Sequence, residues 1–182
     1  MPKSLTPQQI ADYETQGFTS PVPVLSAEEV REARSAIEAF ERRTGRTLDY
    51  PEKSKSYLLF DWADKLVRHP AILDAVEDLI GPHILVYHST MWIKDPGTAQ
   101  YIAWHQDGTY FYLDPQEHVT AWVALSDASV EAGCMHVLPG TRARCRRDAG
   151  LGNAGARRGP PRPFHGGAAD RSGVKRRGLR QP

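Results

Sequence analysis

HILVYHSTMWIK, residues 83–94, is where the character of the sequence changes. β-branched and aromatic residues dominate it, and such residues favour strands over helices. Turn-forming stretches separate it from three further segments of the same kind: AQYIAWHQ (99–106), VTAWVALSD (119–127) and CMHVLPG (134–140). Four short strands at this spacing predict an antiparallel sheet or barrel.

Before this stretch the sequence predicts helices. In LTPQQIADYETQG and SAEEVREARSAIEAFERRTG, Thr6 and Ser26 precede Gln9 and Glu29 by three positions, which is the capping-box signature of a helix start. YLLFDWADKLVRH and PAILDAVEDLIG predict two more helices, which Pro70 separates. The predicted fold class is therefore α+β, with N-terminal helices followed by a β part.

The last 40 residues, 143–182, form a different kind of segment. Gly, Ala, Arg and Pro make up 28 of them, and they carry 11 Lys+Arg against 2 Asp+Glu, whereas residues 1–142 carry 12 against 20. Such a segment cannot bury enough apolar surface to offset the entropy lost on ordering. We predict one domain over residues 1–142 and a disordered basic tail over residues 143–182.

The overall composition restricts the class of protein. A chain of 182 residues with 40% hydrophobic residues is long enough for one globular domain. It holds no apolar run of the ~20 residues that a membrane helix needs, and its N-terminus lacks the apolar stretch of a secretory signal. We expect a cytoplasmic protein without a membrane partner. The oligomeric state does not follow from the sequence.

The motif WHQDGTY, residues 104–110, places His105 and Asp107 two positions apart. In a strand, side chains at i and i+2 project from the same face, so the imidazole and the carboxylate would lie side by side. Such a pair with open positions beside it suits a divalent iron site of the two-histidine, one-carboxylate type. The ordinary alternative is a polar end of a strand.

Several motifs resemble, in this order, the phytanoyl-CoA dioxygenase family of iron(II)- and 2-oxoglutarate-dependent oxygenases: GPHI, STMWIK, WHQDGTYF, VTAWVALSD and GCMHVLPGT. The resemblance extends upstream through KSYLLFDWADKLVRHPAILDAVEDLIG, so it covers about residues 50–142. It implies that the β part, from about residue 83, is a double-stranded β-helix (jelly roll) against which the N-terminal helices pack.

The resemblance also implies roles for individual residues. His105 and Asp107 match the first two iron ligands of the family. Met91 and Trp122 match positions that line the 2-oxoglutarate pocket, and Lys55 lies near the lysine that approaches this cosubstrate. From the residues alone, core packing is the favoured alternative for Met91 and Trp122.

The activity implied by the resemblance is hydroxylation of a small organic substrate by dioxygen, with conversion of 2-oxoglutarate to succinate and CO2. Iron(II) held on one triangular face leaves positions for the cosubstrate and for dioxygen. The carboxylate of Asp107 favours hydroxylation, because related halogenases have a small residue there that makes room for chloride. The identity of the substrate does not follow.

One part of the family pattern does not continue in this chain. Beyond Thr141 a distal histidine, the third iron ligand, and an arginine that pairs with 2-oxoglutarate should follow, and His165 in RPFHGGAAD has no strand context. The chain therefore resembles a family member that is truncated after about Thr141. After Thr141 the sequence changes to Arg, Gly, Ala and Pro, residues that GC-rich codons encode. This suggests a wrong reading frame, which translation of the neighbouring frames would test. We expect weakened binding of iron and cosubstrate, and an inactive chain if nothing replaces these residues.

Two other functions remain open. One is a non-catalytic remnant of a jelly roll, which would give neither a charge-transfer band with iron(II) and 2-oxoglutarate nor succinate. The other is binding of nucleic acid or an acidic partner through the tail at 143–182. The tail lacks RGG repeats and interleaved aromatic residues, so we do not expect nucleic-acid binding.

Overall fold

The computed structural model describes residues 1–98, 101–111, 113–115 and 117–141. Regular structure in this part of the chain is helical, in the order α1 (Pro7–Gln16), α2 (Ala27–Thr44), a 3-10 turn (Ser56–Leu58), α3 (Asp61–Val67), α4 (Pro70–Ile80) and α5 (Gly108–Phe111). The four helices predicted before residue 83 are confirmed as α1 to α4. The fifth, α5, lies inside the stretch for which strands were predicted.

The ends of α1 and α2 follow from their local sequences. Thr6 and Ser26 each accept a hydrogen bond from the backbone N–H three residues later, and Gln9 and Glu29 bond back to the cap. Both capping boxes are thus complete, which satisfies N–H groups that a helix start leaves without a partner. At the end of α2, Gly45 adopts a left-handed conformation with φ of 68°, which a residue with a Cβ adopts only with strain.

The core of the described part lies among the N-terminal helices. The buried apolar side chains are those of Leu5, Tyr13, Ala33, Phe40, Leu48, Ala63, Ile72 and Ala75. Phe40 of α2 meets Phe60, the residue before α3, edge to face at 5.4 Å between ring centroids. Phe60 in turn stacks on Trp62 at 5.8 Å. These aromatic contacts fix α3 against α2, in geometries that aromatic pairs prefer.

The N-terminus is held against α4 by one carboxylate. The backbone N–H groups of Lys3, Ser4 and Leu5 all donate to Asp78, at 2.7 to 2.9 Å. Burial alone would raise the pKa of Asp78, but the three donors outweigh it and the pKa is lowered. The segment before α1 is therefore anchored, with the side chain of Leu5 in the core.

The predicted jelly roll is wrong for the described part of the chain. Residues 83–94, 101–106, 119–127 and 134–140 form no strand there, and an isolated antiparallel bridge between Ser54 and Thr90 is present instead. A strand exists only where a second segment accepts and donates its ladder hydrogen bonds, so β propensity without a pairing partner is not enough. The side chains of Leu85 and Trp104 are accordingly 87% and 73% exposed.

The segment 83–94 instead pairs briefly with the loop before α3. The Lys55 N–H donates to the Ser89 carbonyl at 2.8 Å, and the Met91 N–H donates to the Lys53 carbonyl at 3.0 Å. These two bonds flank the bridge between Ser54 and Thr90. The start of the predicted β part is thereby attached to the helical part.

Two further expectations concern the rest of the chain. The basic tail at 143–182, and with it the predicted boundary after residue 142, lies outside the described residues. Among the helices that the structure describes, none is long and apolar enough to cross a membrane.

Replacing Asp78 by alanine should release the N-terminal segment from α4. Because three N–H groups lose a charged acceptor, we expect a decrease of about 2 kcal/mol in the free energy of unfolding, measured by urea denaturation. Asp74→Ala on the same helix is the matched control. Its carboxylate forms an exposed ion pair with Lys3 at 3.8 Å, so its removal should cost less than about 0.5 kcal/mol. Equal losses in both variants would contradict the anchoring role.

Glu29 should make stability depend on pH. The backbone N–H of Ser26, then its hydroxyl, then the ring of His69 lower the pKa of Glu29 from 4.5 to about 2. Because the folded-state pKa lies below the unfolded one, the stabilisation is present above pH 4.5 and is lost as the pH falls towards 2. Urea midpoints at about pH 6 and about pH 3 should differ less in Glu29→Gln than in the wild type. Glu14→Gln, on the exposed side of α1, should keep the wild-type difference; the same flattening there would refute the assignment.

Candidate functional site

The side chains of His105 and Asp107 lie together just before α5. His105 Nε2 and Asp107 Oδ1 are 3.3 Å apart, with the two side chains 38% and 36% exposed. The sequence predicted this proximity from the spacing of a strand. In the structure the pair lies on no strand and stands directly before α5, where the carbonyl of Asp107 accepts from the N–H of Tyr110 at 2.9 Å.

The ring of His105 is oriented by the backbone next to it. Its Nδ1 lies 2.8 Å from the carbonyl oxygen of Ala103. A carbonyl can only accept, so Nδ1 donates, and in the neutral imidazole the lone pair is on Nε2, towards Asp107. Tyr110 meets the other side of the ring, edge to face at 5.9 Å. This backbone bond is the kind that orients histidine ligands of metals.

The carboxylate of Asp107 is oriented by a residue that the sequence did not single out. Thr120 Oγ1 donates to Asp107 Oδ2 at 2.6 Å, which leaves Oδ1 facing the imidazole. Thr120 stands two residues before Trp122 in VTAWVALSD, and no pattern in that segment marks its hydroxyl as a partner of Asp107.

The turn that carries the site is tied to distant parts of the chain. Gln106 Nε2 donates to the carbonyl of Thr141 at 3.1 Å. The neighbouring Gly140 N–H donates to the carbonyl of Gln16, the last residue of α1, at 2.8 Å. The residue between His105 and Asp107 is thus connected, through two successive backbone positions, to the N-terminal helices.

Aromatic rings hold α5 against the segments on either side of it. Tyr87 and Phe111 lie 4.9 Å apart between ring centroids, and Phe111 meets the ring of His118 edge to face at 5.3 Å. Tyr87 belongs to the stretch 83–94 and His118 precedes Thr120 by two residues. Packing about Phe111 therefore brings both segments towards the site.

The two donor atoms fit neighbouring positions on one metal ion. Adjacent ligands of an octahedral ion with bonds of about 2.1 Å lie about 3.0 Å apart, close to the 3.3 Å between His105 Nε2 and Asp107 Oδ1. A neutral imidazole and a carboxylate are also the donor types that iron(II) takes in such sites. Within the described ranges, however, no group of three His, Cys, Asp or Glu side chains could hold a metal.

The three predicted cosubstrate residues occupy two places. Lys55 and Met91 lie on the paired segments 53–55 and 89–91, and Lys55 has a left-handed backbone with φ of 50°. Burial, and then the charge of Lys55, lower the pKa of His88. The Lys55 ammonium therefore lies close enough to His88 to disfavour its protonated form. Trp122 is 44% exposed, which does not fit the alternative that it is a core residue, whereas Met91 is half-buried.

A separate hollow of about 630 Å³ lies between α2 and α3. Its lining includes Glu29 and His69, which are 3.0 Å apart and join α2 to the residue before α4. None of the predicted site residues lines it. We therefore assign the Glu29–His69 pair to the packing of helices.

Comparison with known proteins points to one family. The profile of the family described as Phytanoyl-CoA dioxygenase (PhyH) matches residues 13–153. This range begins before the stretch over which the motifs were recognised and ends beyond Thr141.

Individual relatives agree with this match. A protein of Stutzerimonas stutzeri described as a probable alpha-ketoglutarate-dependent hypophosphite dioxygenase is 26% identical over 151 residues, which cover 74% of this chain and 52% of the relative. The peroxisomal phytanoyl-CoA dioxygenase of Homo sapiens is 37% identical over 76 residues, 40% of this chain and 22% of the relative. A phytanoyl-CoA dioxygenase domain-containing protein 1 of Danio rerio is 42% identical over 66 residues, with shares of 35% and 22%.

The chain spans about half the length of the first of these relatives and about a fifth of the other two. No solved structure gives a significant match.

The hydrogen bond to Ala103 predicts which nitrogen of His105 carries the proton. In ¹⁵N-labelled protein, multiple-bond proton–nitrogen spectra recorded at about pH 8 should show the Nδ1–H tautomer for His105. The signal is assigned by its loss in His105→Gln. A predominant Nε2–H tautomer would mean that the lone pair does not face Asp107.

Proposed function

This chain belongs to the phytanoyl-CoA dioxygenase family, and we propose that its activity is iron(II)- and 2-oxoglutarate-dependent oxygenation, in which a small organic substrate is hydroxylated and succinate and CO2 are released. The observation that carries the proposal is the pair of donor atoms, His105 Nε2 and Asp107 Oδ1, 3.3 Å apart. The relative named for alpha-ketoglutarate dependence supports the choice of cosubstrate.

In this proposal His105 and Asp107 hold the iron. The imidazole offers a lone pair that the Ala103 carbonyl keeps on Nε2, and the carboxylate contributes the negative charge that favours a divalent cation. When bound, iron(II) supplies the redox chemistry for activating dioxygen with 2-oxoglutarate as the co-reductant. Both donors are about one-third exposed, so the ion and a small substrate reach them from solvent.

Lys55, Met91 and Trp122 are proposed to contact 2-oxoglutarate. The ammonium of Lys55 would balance a carboxylate of this dianion, while Met91 and Trp122 offer apolar surface to its methylene groups. The half-buried and exposed positions of Met91 and Trp122 leave their surfaces accessible to a ligand. His165, the other histidine considered as a ligand, lies outside the described residues.

A non-catalytic remnant is the second candidate. It is favoured by the observation that the described residues provide two donors and no third ligand near them. Fewer protein ligands hold an ion less tightly, because each bond contributes to binding. The two candidates differ in whether the chain forms a complex with iron(II) and 2-oxoglutarate and turns the cosubstrate over.

Anaerobic addition of iron(II) and 2-oxoglutarate tests the proposed function. We expect a visible metal-to-ligand charge-transfer band in the wild type, and at least a tenfold weaker metal affinity, by titration, in His105→Ala and Asp107→Ala. His83→Ala removes an exposed histidine and should leave the band unchanged. Succinate formed on admitting dioxygen would establish turnover.

The outcomes separate the candidates. The absence of both a band and succinate would favour the non-catalytic remnant, whereas a band without succinate would mean that iron(II) and 2-oxoglutarate bind without turnover. A band that survives loss of both His105 and Asp107 would overturn the assignment of the iron ligands. Salt-sensitive DNA binding that disappears on deleting residues 143–182 would instead favour a binding function of the tail.

A further inference from the structure

The hydrogen bond from Thr120 to Asp107 divides the two oxygens of the site carboxylate between two tasks. Oδ2 accepts the Thr120 hydroxyl at 2.6 Å, and Oδ1 faces Nε2 of His105 at 3.3 Å. A carboxylate has no proton of its own to give, so Thr120 is the donor, and its hydroxyl proton stays on Oγ1 and points to Oδ2. Hydrogen bonds from hydroxyls to carboxylates are short and stronger than those between neutral groups.

We propose that Thr120 is a positioning residue, which fixes the rotation of the Asp107 carboxylate so that Oδ1 alone is offered to the metal. This inference rests on the proposed function of His105 and Asp107. A free carboxylate can turn about its last side-chain bond and can bind a divalent cation through one oxygen or both. With Oδ2 engaged by Thr120, binding through both oxygens would compete with this bond for the lone pairs and the orientation of Oδ2.

One-oxygen binding matters for the chemistry assigned to the site. A carboxylate that binds through both oxygens occupies two neighbouring positions of the ion, whereas binding through Oδ1 alone leaves the second of these positions open to a further ligand. The bond also lowers the cost of ordering Asp107 when the metal binds, because its side chain is already held in place. Thr120 comes from a segment 13 residues further along the chain, so the site is completed only when the two segments meet.

The test compares side chains that differ in the hydroxyl alone. Thr120→Val keeps the branched shape without the donor, Thr120→Ser keeps the donor, and Thr120→Ala is a second deletion in case valine disturbs folding. Thr15→Val is the matched control, since that hydroxyl bonds to a backbone carbonyl within α1, at Ala11. Folding of each variant is checked by circular dichroism, and cobalt(II) is the metal probe, without 2-oxoglutarate.

Two properties are measured, the affinity for cobalt(II) by calorimetric titration and the visible spectrum of the bound cobalt(II). We expect Thr120→Val and Thr120→Ala to weaken the affinity about 10-fold or more, the range found for partners that orient metal ligands. Their spectra should lose intensity, because a carboxylate released from Thr120 can bind through both oxygens and raise the coordination number. Thr120→Ser should restore the wild-type affinity and spectrum, and Thr15→Val should retain them.

The results distinguish failure of this inference from failure of the site. Wild-type affinity and spectrum in both hydroxyl deletions, with binding still abolished in His105→Ala and Asp107→Ala, would overturn the role of Thr120 and leave the iron ligands standing. A wild type that binds no cobalt(II), or that binds it equally well without His105 and Asp107, would overturn the proposed site and this inference together. Weakened binding in Thr120→Ser equal to that in Thr120→Val would also count against a role for the hydroxyl.

Discussion

Every buried backbone N–H and C=O needs a hydrogen-bond partner, and in the described part of the chain the helices supply these partners from within their own turns. A helix closes its own bonds four residues apart, and the capping boxes at Thr6 and Ser26 complete two helix starts from within the same turn. With the helix ends satisfied, Phe40 and Phe60 can meet and close a small core. In the described part, segments that need a distant partner find one at a few contacts, such as those between residues 53–55 and 89–91, from residues 3–5 to Asp78, and from Gly140 to Gln16.

This difference explains how much of the fold could be predicted from the sequence. The helices were predictable because their signals are local: an acceptor at the cap, a glycine such as Gly45 at the end, and apolar residues between them. The strands from residue 83 onward were predicted from β propensity, which describes how well a residue suits a sheet and does not supply the neighbouring strand. The resemblance to the family likewise did not supply a pairing partner for these segments. The aromatic and aliphatic side chains that favoured strands, such as those of Leu85 and Trp104, lie in solvent instead.

The candidate site shows the same difference between local signals, which can be predicted, and contacts between distant segments, which cannot. The spacing of His105 and Asp107 indicated that they would be neighbours, and they are, but they stand directly before α5 and not on a strand. Their second contacts could not be predicted. Every residue has a backbone carbonyl, so the sequence does not indicate that the one of Ala103 accepts from His105. The hydroxyl of Thr120 contacts Asp107 from a segment that follows α5 in the chain. Residue types and short spacings thus indicated the chemistry, whereas the orientation of each donor depends on contacts between separate segments.

The two hydrogen bonds that join Gln106 to Thr141 and Gly140 to Gln16 link the site to α1. One end of this short path lies between the two proposed iron ligands, and the other is the final turn of the first helix. The path begins at the side-chain amide of Gln106 and continues through backbone groups, so at α1 it contacts the carbonyl of Gln16 and no side chain of that helix. Under the proposed function, metal binding and the docking of α1 would therefore be coupled. A metal that fixed the His105–Asp107 turn would also make α1 harder to detach, and tighter docking of α1 would strengthen metal binding by the same free energy.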